Sequence, residues 1–110
     1  MSELQAVLAI TTVGSEDAAV ALVRALLERR LIACGSMLPA MRSMYRWEGR
    51  VADESETLVL LKTTAGRLSE LTLAVRSLHP YQVPELLAFV AGDAMPEYLQ
   101  WLAAEVQPLE

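Results

Sequence analysis

The sequence predicts an α+β fold in which two helices cover one face of an antiparallel sheet. Strand-like and helix-like stretches alternate along 110 residues, a length that fits one domain spanning 1–110. Two long extended stretches also follow one another across a glycine turn, which is typical of a β-hairpin. The predicted order is therefore strand, helix, hairpin, helix and strand, with one more helix at the end.

The first strand and helix have clear signals. Leu4–Thr12 is apolar and rich in β-branched residues, which predicts a buried strand. Gly14 breaks this strand, and Ser15 is a suitable N-cap for a helix. Apolar residues then recur at helical spacing, namely Ala19, Leu22, Val23, Leu26 and Leu27. We expect Arg29 and Arg30 in the last helical turn, where the helix dipole favours basic side chains.

The hairpin is unusually long. Its strands are predicted at Ile32–Trp47 and Val51–Thr63, with a turn at Glu48-Gly49. A strand of this length would reach roughly 50 Å, whereas a compact domain of this size is roughly 34 Å across. We expect the hairpin to project or to bend sharply, with a bulge or an edge position where Gly35 and Pro39 interrupt its first strand. A neighbouring subunit is the simplest cover for such a strand pair. The run Leu58–Leu61 suggests burial on both faces.

The second helix is predicted from about Ala65, with Thr64 as its N-cap. It must end before His79, because Pro80 disfavours helical backbone in the residue ahead of it.

The remaining elements complete a known arrangement. Leu86–Val90 is predicted to be a short strand, and Pro96 suits the first turn of a last helix that Pro108 ends. An order of β-α-β-β-α-β is the ferredoxin-like split βαβ arrangement, here with an extra terminal helix.

Composition excludes several classes of protein. The net charge of −5 argues against nucleic-acid binding, and a single cysteine excludes an intramolecular disulfide. The longest apolar runs, Ala18–Val23 and Leu86–Ala91, fall far short of the roughly 20 residues that a membrane span needs. The N-terminal residues lack the basic region of a secretory signal. We therefore expect a soluble, cytoplasmic protein. Its 54% hydrophobic content favours an oligomer, because ordinary domains lie near 45–50% on a similar count.

One stiff loop holds the best candidate ligands. The segment from His79 to Glu85, which two prolines stiffen, holds the only imidazole, a phenol and a carboxylate in one short loop. Imidazole and carboxylate are common donors to divalent metals. The simpler interpretation is a capping or loop histidine and a solvated glutamate, and a full coordination shell would need water, another subunit or Cys34.

Two further residues stay open to more than one interpretation. Cys34 is more often a small buried hydrophobe than a ligand, although a soft Cu(I)- or Zn-type site would follow if it approached His79. Lys62 is the only lysine in the chain. It reflects either an arginine bias or a need for a compact charge that holds an anion.

These residues together resemble the CutA family of divalent-cation tolerance proteins. The resemblance covers nearly the whole chain and rests on six ordered segments. They are Thr11-Thr12, Leu31-Ile32-Ala33-Cys34, Tyr45-Arg46-Trp47-Glu48-Gly49, Leu61-Lys62-Thr63-Thr64, His79-Pro80-Tyr81-Gln82-Val83-Pro84-Glu85 and Pro96-Glu97-Tyr98-Leu99-Gln100-Trp101.

The resemblance implies a ferredoxin-like subunit in a cytoplasmic homotrimer, with long hairpins forming sheets between subunits and an architecture like that of PII signalling proteins. It implies that Cu²⁺ or another divalent cation binds weakly or transiently. By position in the family motifs, Cys34, His79 and Glu85 are candidate metal ligands. Lys62, Tyr81 and Trp47 are candidates for lining a cleft between subunits.

Two departures from the family pattern matter. Gln82 stands where an acidic residue is common, which removes one hard donor. Gly35-Ser36 replaces a more usual Val-Asn pair, so we expect looser surroundings for Cys34.

The sequence is compatible with three functions. The first is a trimeric metal-binding protein of cation tolerance. The second is a PII-like regulatory trimer that binds a small anion near Lys62 and signals to an unknown protein partner. The third, an enzyme that uses His79 as a general acid or base, is the weakest, because no orienting acid or nucleophile motif is evident. We therefore expect no enzymatic activity.

Overall fold

The elements of the computed structural model, which describes residues 2–108, follow the predicted order. They are β1 (Ala6–Val13), α1 (Glu16–Glu28), β2 (Cys34–Trp47), β3 (Arg50–Thr64), a 3₁₀ turn (Ala65–Arg67), α2 (Leu68–Leu78), β4 (Leu87–Val90) and α3 (Pro96–Glu105). Met1 and residues 109–110, which the expected 1–110 domain includes, lie outside the described residues. No helix within 2–108 is long and apolar enough to cross a membrane.

The sheet has the predicted ferredoxin-like topology. Its four strands lie in the order β2-β3-β1-β4, and every neighbouring pair is antiparallel. Because side chains alternate along a strand, the odd-numbered residues of β1 and of β3 from Thr57 onward face the helices. They pack with α1 and α2 into the core, where Ala9, Val13, Leu26, Val59, Leu61 and Leu71 are fully buried. The opposite face, which we call the open face, carries the even-numbered residues of β1 and β3.

The end of α1 differs from the prediction. The helix ends at Glu28, so Arg29 and Arg30 follow it instead of forming its last turn. Arg30 adopts left-handed backbone with φ 55°. Its side chain donates hydrogen bonds to the carbonyls of Ala104 and Gln107 at the end of α3. Arg30 therefore helps to cap the end of α3, where the Ala104 carbonyl also accepts from the amides of Val106 and Gln107.

Three strands begin later than predicted. β1 starts at Ala6 instead of Leu4, β2 at Cys34 instead of Ile32, and β4 at Leu87 instead of Leu86. Ile32 is 1% exposed, but it packs into the core as part of the turn after α1. In that turn the Leu31 amide donates to the carbonyl of Leu26.

The start of the second helix also differs. A 3₁₀ turn precedes α2, and Thr64 makes no side-chain capping bond. The amides of Ala65 and Gly66 instead donate to the carbonyls of Gln5 and Glu3. The N-terminal segment thus satisfies helix donors that a capping side chain would otherwise serve.

The long hairpin extends beyond the rest of the sheet, which is one of the two predicted outcomes. Pairing with β1 stops at Thr57, so Met41–Trp47 and Arg50–Glu56 pair only with each other; we call this two-stranded part the arm. A register shift between Leu38 and Met41 marks the expected bulge. The longest dimension of the chain is 44 Å.

The tip of the arm is a two-residue turn in which Glu48 and Gly49 both have positive φ, as a type I′ hairpin turn requires. Lower in β3, burial alternates instead of covering both faces of the Leu58–Leu61 run. Val59 and Leu61 are fully buried against the helices, whereas Leu58 and Leu60 lie half-buried on the open face.

Candidate functional site

An open groove lies between the arm and the loop that follows α2. Its volume is about 930 Å³. Its charged and aromatic lining residues are Arg42, Tyr45, Trp47, Glu54, Glu56, Tyr81 and Glu85. The groove therefore joins three of the six predicted site residues, Trp47, Tyr81 and Glu85, with two carboxylates of β3.

His79 lies just behind this groove at the end of α2. Its amide still donates to Val75, but its backbone is extended (φ −71°, ψ 136°), as expected ahead of Pro80. The ring is buried. Its Nδ1 accepts a hydrogen bond from the Tyr81 amide at 3.1 Å, so Nε2 carries the proton and donates to the Thr12 carbonyl at 2.8 Å. Both nitrogens are therefore occupied, and His79 could bind a metal only by giving up one of these bonds.

Tyr81 connects the loop to the arm. Its ring meets that of His79 edge-on, with centroids 4.8 Å apart. Its hydroxyl donates to Oε2 of Glu56 at 2.7 Å. Burial and this hydrogen bond together raise the pKa of Tyr81, so the phenol stays protonated and remains a donor.

Glu56 is a buried carboxylate at the base of the arm, only 6% exposed. Burial alone would raise its pKa, but hydrogen bonds from Ser43, Tyr81 and Thr12 outweigh that effect. The pKa of Glu56 consequently lies below its usual range, and the carboxylate is charged at neutral pH.

The groove is acidic and aromatic. Partial desolvation and the neighbouring Glu54 raise the pKa of Tyr45. Among residues 2–108 the ion pairs are Arg42–Asp53, at 2.6 Å, and Arg67–Glu70, at 2.8 Å, so the groove carboxylates have no basic partner within the described chain. Arg42 also lines the groove, but its guanidinium pairs with Asp53, so the three glutamates leave the groove with an excess of negative charge, which attracts cations.

Cys34 and Lys62 lie elsewhere on the sheet. They are register partners on β2 and β3, with Lys62 Nζ 3.6 Å from Cys34 Sγ and 2.7 Å from Ser36 Oγ. Lys62 pairs with Leu8 on β1, four residues before the Thr12 that His79 contacts. Four residues of strand span about 13 Å, so Cys34 does not approach His79.

Lys62 also lines a different cavity. This second cavity, of about 480 Å³, lies between β1 and α3 and includes Met95 and Tyr98. Within one chain, therefore, the predicted cleft residues are divided: Trp47 and Tyr81 line the groove, and Lys62 does not.

β2 packs closely against α1 at Gly35, whereas the half-buried side chain of Cys34 lies on the opposite face of the strand, beside Lys62. A Cβ added to Gly35 would lie 2.6 Å from Cγ1 of Val23. The glycine lets β2 approach α1 closely, because no larger residue would fit between them.

The residues present do not form a complete metal site in one chain. Nowhere among residues 2–108 do three or more His, Cys, Asp or Glu side chains converge so that they could hold an ion. Of the three predicted ligands, Glu85 is exposed in the groove, His79 is buried behind it, and Cys34 lies beside Lys62. Further donors would have to come from water or from another chain.

Glu54, Glu56 and Tyr45 are site residues that the sequence reasoning missed. Each belongs to the arm, and the groove lies where the arm and the loop after α2 face each other. One signal was available: Glu54 and Glu56 alternate along β3 and so point to the same face.

Comparisons with known proteins agree with the fold. The family model described as CutA1 divalent ion tolerance protein matches residues 7–105. A Divalent-cation tolerance protein CutA from Thermus thermophilus is 43% identical over 93 residues, which cover 84% of this chain and 90% of that protein. Protein CutA from Homo sapiens is 38% identical over 86% of this chain, which spans 52% of the human protein's length.

Solved structures agree as well. A crystal structure of divalent ion tolerance protein CutA1 from Ehrlichia chaffeensis superposes with a TM-score of 0.91 at 27% identity, covering 96% of this chain and 99% of that one. The divalent cation tolerance protein (Cut A1) of Thermus thermophilus gives a TM-score of 0.89 at 39% identity, covering 93% and 99%. With its fold, its motifs and its sequence all matching, this chain belongs to the CutA1 family of divalent ion tolerance proteins.

Proposed function

We propose that the chain is one subunit of a homotrimer that binds divalent metal ions, copper included, and so contributes to cation tolerance. The observation that carries the proposal is the acidic groove of a divalent ion tolerance protein, in which Glu54 and Glu85 have no basic ion-pair partner in the described chain. Carboxylate oxygen suits a divalent cation, and a partly exposed site suits weak, exchangeable binding.

The exposed apolar surface supports the assembly. On the open face, Leu38, Leu87 and Phe89 are each more than half exposed, and Trp47 and Tyr45 add aromatic surface on the arm. Monomers seldom expose contiguous apolar patches of this kind, and the unpaired edge of β4 is a further pairing surface. In an oligomer, neighbouring copies of the chain would cover both the apolar patch and the edge of β4.

A shared site accounts for the sparse donors of one chain. We assign Glu85 as an oxygen ligand, with water or a neighbouring subunit completing the coordination. We assign His79 a positioning role, because its nitrogens already hold Tyr81 and Thr12. Cys34 takes no part in this site, since it lies beside Lys62.

Calorimetric titration with Cu(II) and Zn(II) tests these assignments. We expect Glu85→Gln to weaken binding by at least about tenfold. Glu28→Gln, at the exposed end of α1, is the matched control and should bind like wild type. Unchanged affinity in Glu85→Gln would overturn the groove assignment. His79→Ala distinguishes the roles of His79, because a loss as large as that in Glu85→Gln would make it a ligand.

A second candidate function is a PII-like module that binds an anion at Lys62. The observation that favours it is the neighbourhood of this ammonium, which contacts Ser36 and Cys34 but has no carboxylate partner among residues 2–108. A thermal-shift titration with inorganic phosphate and a nucleoside triphosphate tests it. Stabilisation by either anion that disappears in Lys62→Met supports this function, and stabilisation by metal alone contradicts it.

We further propose that the chain is not an enzyme and that it works in the cytoplasm. His79 would have to break an existing hydrogen bond to act as a base. The one cysteine is a free thiol, which suits a reducing compartment.

A further inference from the structure

The direction of the arm depends on a weak point in the sheet. The arm consists of two strands only, because pairing between β3 and β1 ends at Thr57. The register shift between Leu38 and Met41 lies at the point where the arm leaves the rest of the sheet. Ala40, inside that shift, has left-handed backbone with φ 61°. A bulge bends its strand and interrupts the ladder, so β-pairing alone does not fix the angle of the arm.

Glu56 occupies the first pair of the arm, opposite Met41. It is one of the few buried charged residues in the described chain. A buried carboxylate is tolerated only when hydrogen bonds compensate its lost hydration. The site is therefore sensitive to the position of its donors.

Three hydroxyls from separate parts of the fold line the same groove as Glu56. Ser43 belongs to the arm, Thr12 to β1, and Tyr81 to the loop after α2. Of the three, Tyr81 lies outside the sheet, and its hydroxyl donates a hydrogen bond to Oε2 of Glu56 at 2.7 Å.

Tyr81 is itself held firmly against the body of the domain. Its amide donates to the ring of His79, and that ring donates to the carbonyl of Thr12 on β1. Pro80 and Pro84 restrict the loop on both sides of Tyr81. A continuous series of hydrogen bonds thus runs from β1 through His79 and Tyr81 to the base of the arm.

We infer that the Tyr81–Glu56 hydrogen bond is a latch that fixes the direction of the arm, so that its exposed face meets a second copy of the chain already oriented. Preorganisation of this kind lowers the entropy that association must overcome. The effect on assembly rests on the proposed trimer, whereas the effect on the arm itself does not.

Tyr81→Phe removes the hydroxyl and leaves the ring, and Tyr98→Phe on α3 is the matched control. We expect amide hydrogen exchange in Met41–Trp47 to rise by about tenfold in Tyr81→Phe, in keeping with the loss of a hydrogen bond to a charged group. The dissociation constant of the assembly should rise by a similar factor, and Tyr98→Phe should change neither. Arm exchange that matches wild type in Tyr81→Phe would overturn the latch.

A double-mutant cycle separates the latch from general destabilisation. If Tyr81 and Glu56 act through one bond, Glu56→Gln should raise arm exchange less in the Tyr81→Phe background than in wild type. Strictly additive effects would contradict the inference. A wild-type protein with the mass of one subunit would instead refute the trimer, and the exchange measurements would still test the latch.

Discussion

The ring of His79 is bonded through Nε2 to the carbonyl of Thr12 at 2.8 Å, joining the end of α2 to β1 across 67 residues of sequence. The only imidazole of the chain is thus part of the structure that supports the groove. It holds Tyr81 on one side and the first strand on the other.

Replacing His79 should therefore cost stability. His79→Ala leaves the Tyr81 amide without its acceptor in a buried region, and we expect the free energy of unfolding to fall by about 1–3 kcal/mol. Urea denaturation measures it, with the exposed loop neighbour Gln82→Ala as the control. A midpoint for His79→Ala equal to that of Gln82→Ala would show that the two hydrogen bonds contribute little.

Glu56 makes stability depend on acid pH. Its pKa lies below the usual value because hydroxyl hydrogen bonds outweigh the effect of burial. A carboxyl with a lowered folded-state pKa stabilises the fold at neutral pH, and this contribution is lost as the pH falls through that pKa.

The wild-type free energy of unfolding should consequently fall more steeply than that of Glu56→Gln below about pH 4.3, the usual pKa of a glutamate. Asp53→Asn provides a control, because its ion pair with Arg42 is exposed and screened by solvent. Parallel pH profiles for wild type and Glu56→Gln, from urea titrations at pH 7 to pH 3, would contradict this account of Glu56.

Two buried threonines should respond oppositely to the same substitution. Thr63 Oγ1 donates to the Leu31 carbonyl at 2.7 Å, whereas Thr11 Oγ1 has no hydrogen-bond partner among residues 2–108. Both residues are fully buried. Thr63→Val should destabilise the protein by about 1–3 kcal/mol, and Thr11→Val should stabilise it by about 1 kcal/mol. Thermal unfolding of the two variants tests this prediction. Melting temperatures lowered equally in both variants would show that the Thr11 hydroxyl has a hydrogen-bond partner in solution.

Gly35 should tolerate no side chain while Val23 is present. Gly35→Ala places a Cβ 2.6 Å from a methyl of Val23, and overpacking of this kind costs about 1–3 kcal/mol. Gly92→Ala meets no atom within 4 Å and is the control. Val23→Ala should recover part of the loss, so the double variant should unfold at a higher denaturant concentration than additivity allows. If Val23→Ala recovers none of the lost stability, the strain in Gly35→Ala does not come from Val23.

The fold could be predicted from the sequence because its signals are local. The Ser15 cap, the break ahead of Pro80 and the glycine turn at Glu48-Gly49 each act within a few residues. At two of the boundaries that were predicted wrongly, a distant segment is involved. The amides of Ala65 and Gly66 donate to carbonyls of the N-terminal segment, and Arg30 caps a helix more than 70 residues away.

The site was harder to predict for the same reason. Single residues such as His79 and Cys34 stood out by rarity, but rarity does not reveal what a side chain contacts. The hydrogen bonds of His79 come from β1 and from its own loop, and Cys34 pairs with Lys62 through the hairpin register. Glu56 looked like an ordinary strand glutamate, since nothing in the sequence shows that the arm bends toward Tyr81.

Native mass spectrometry of the purified protein with and without Cu(II) tests the central proposal most directly. We predict a species near three times the 12.1 kDa mass of the chain that retains Cu(II), and weaker retention in Glu85→Gln than in Glu28→Gln. A species of about 12 kDa, or a trimer that retains Cu(II) equally in both variants, would contradict a trimeric protein that binds divalent ions through its acidic groove.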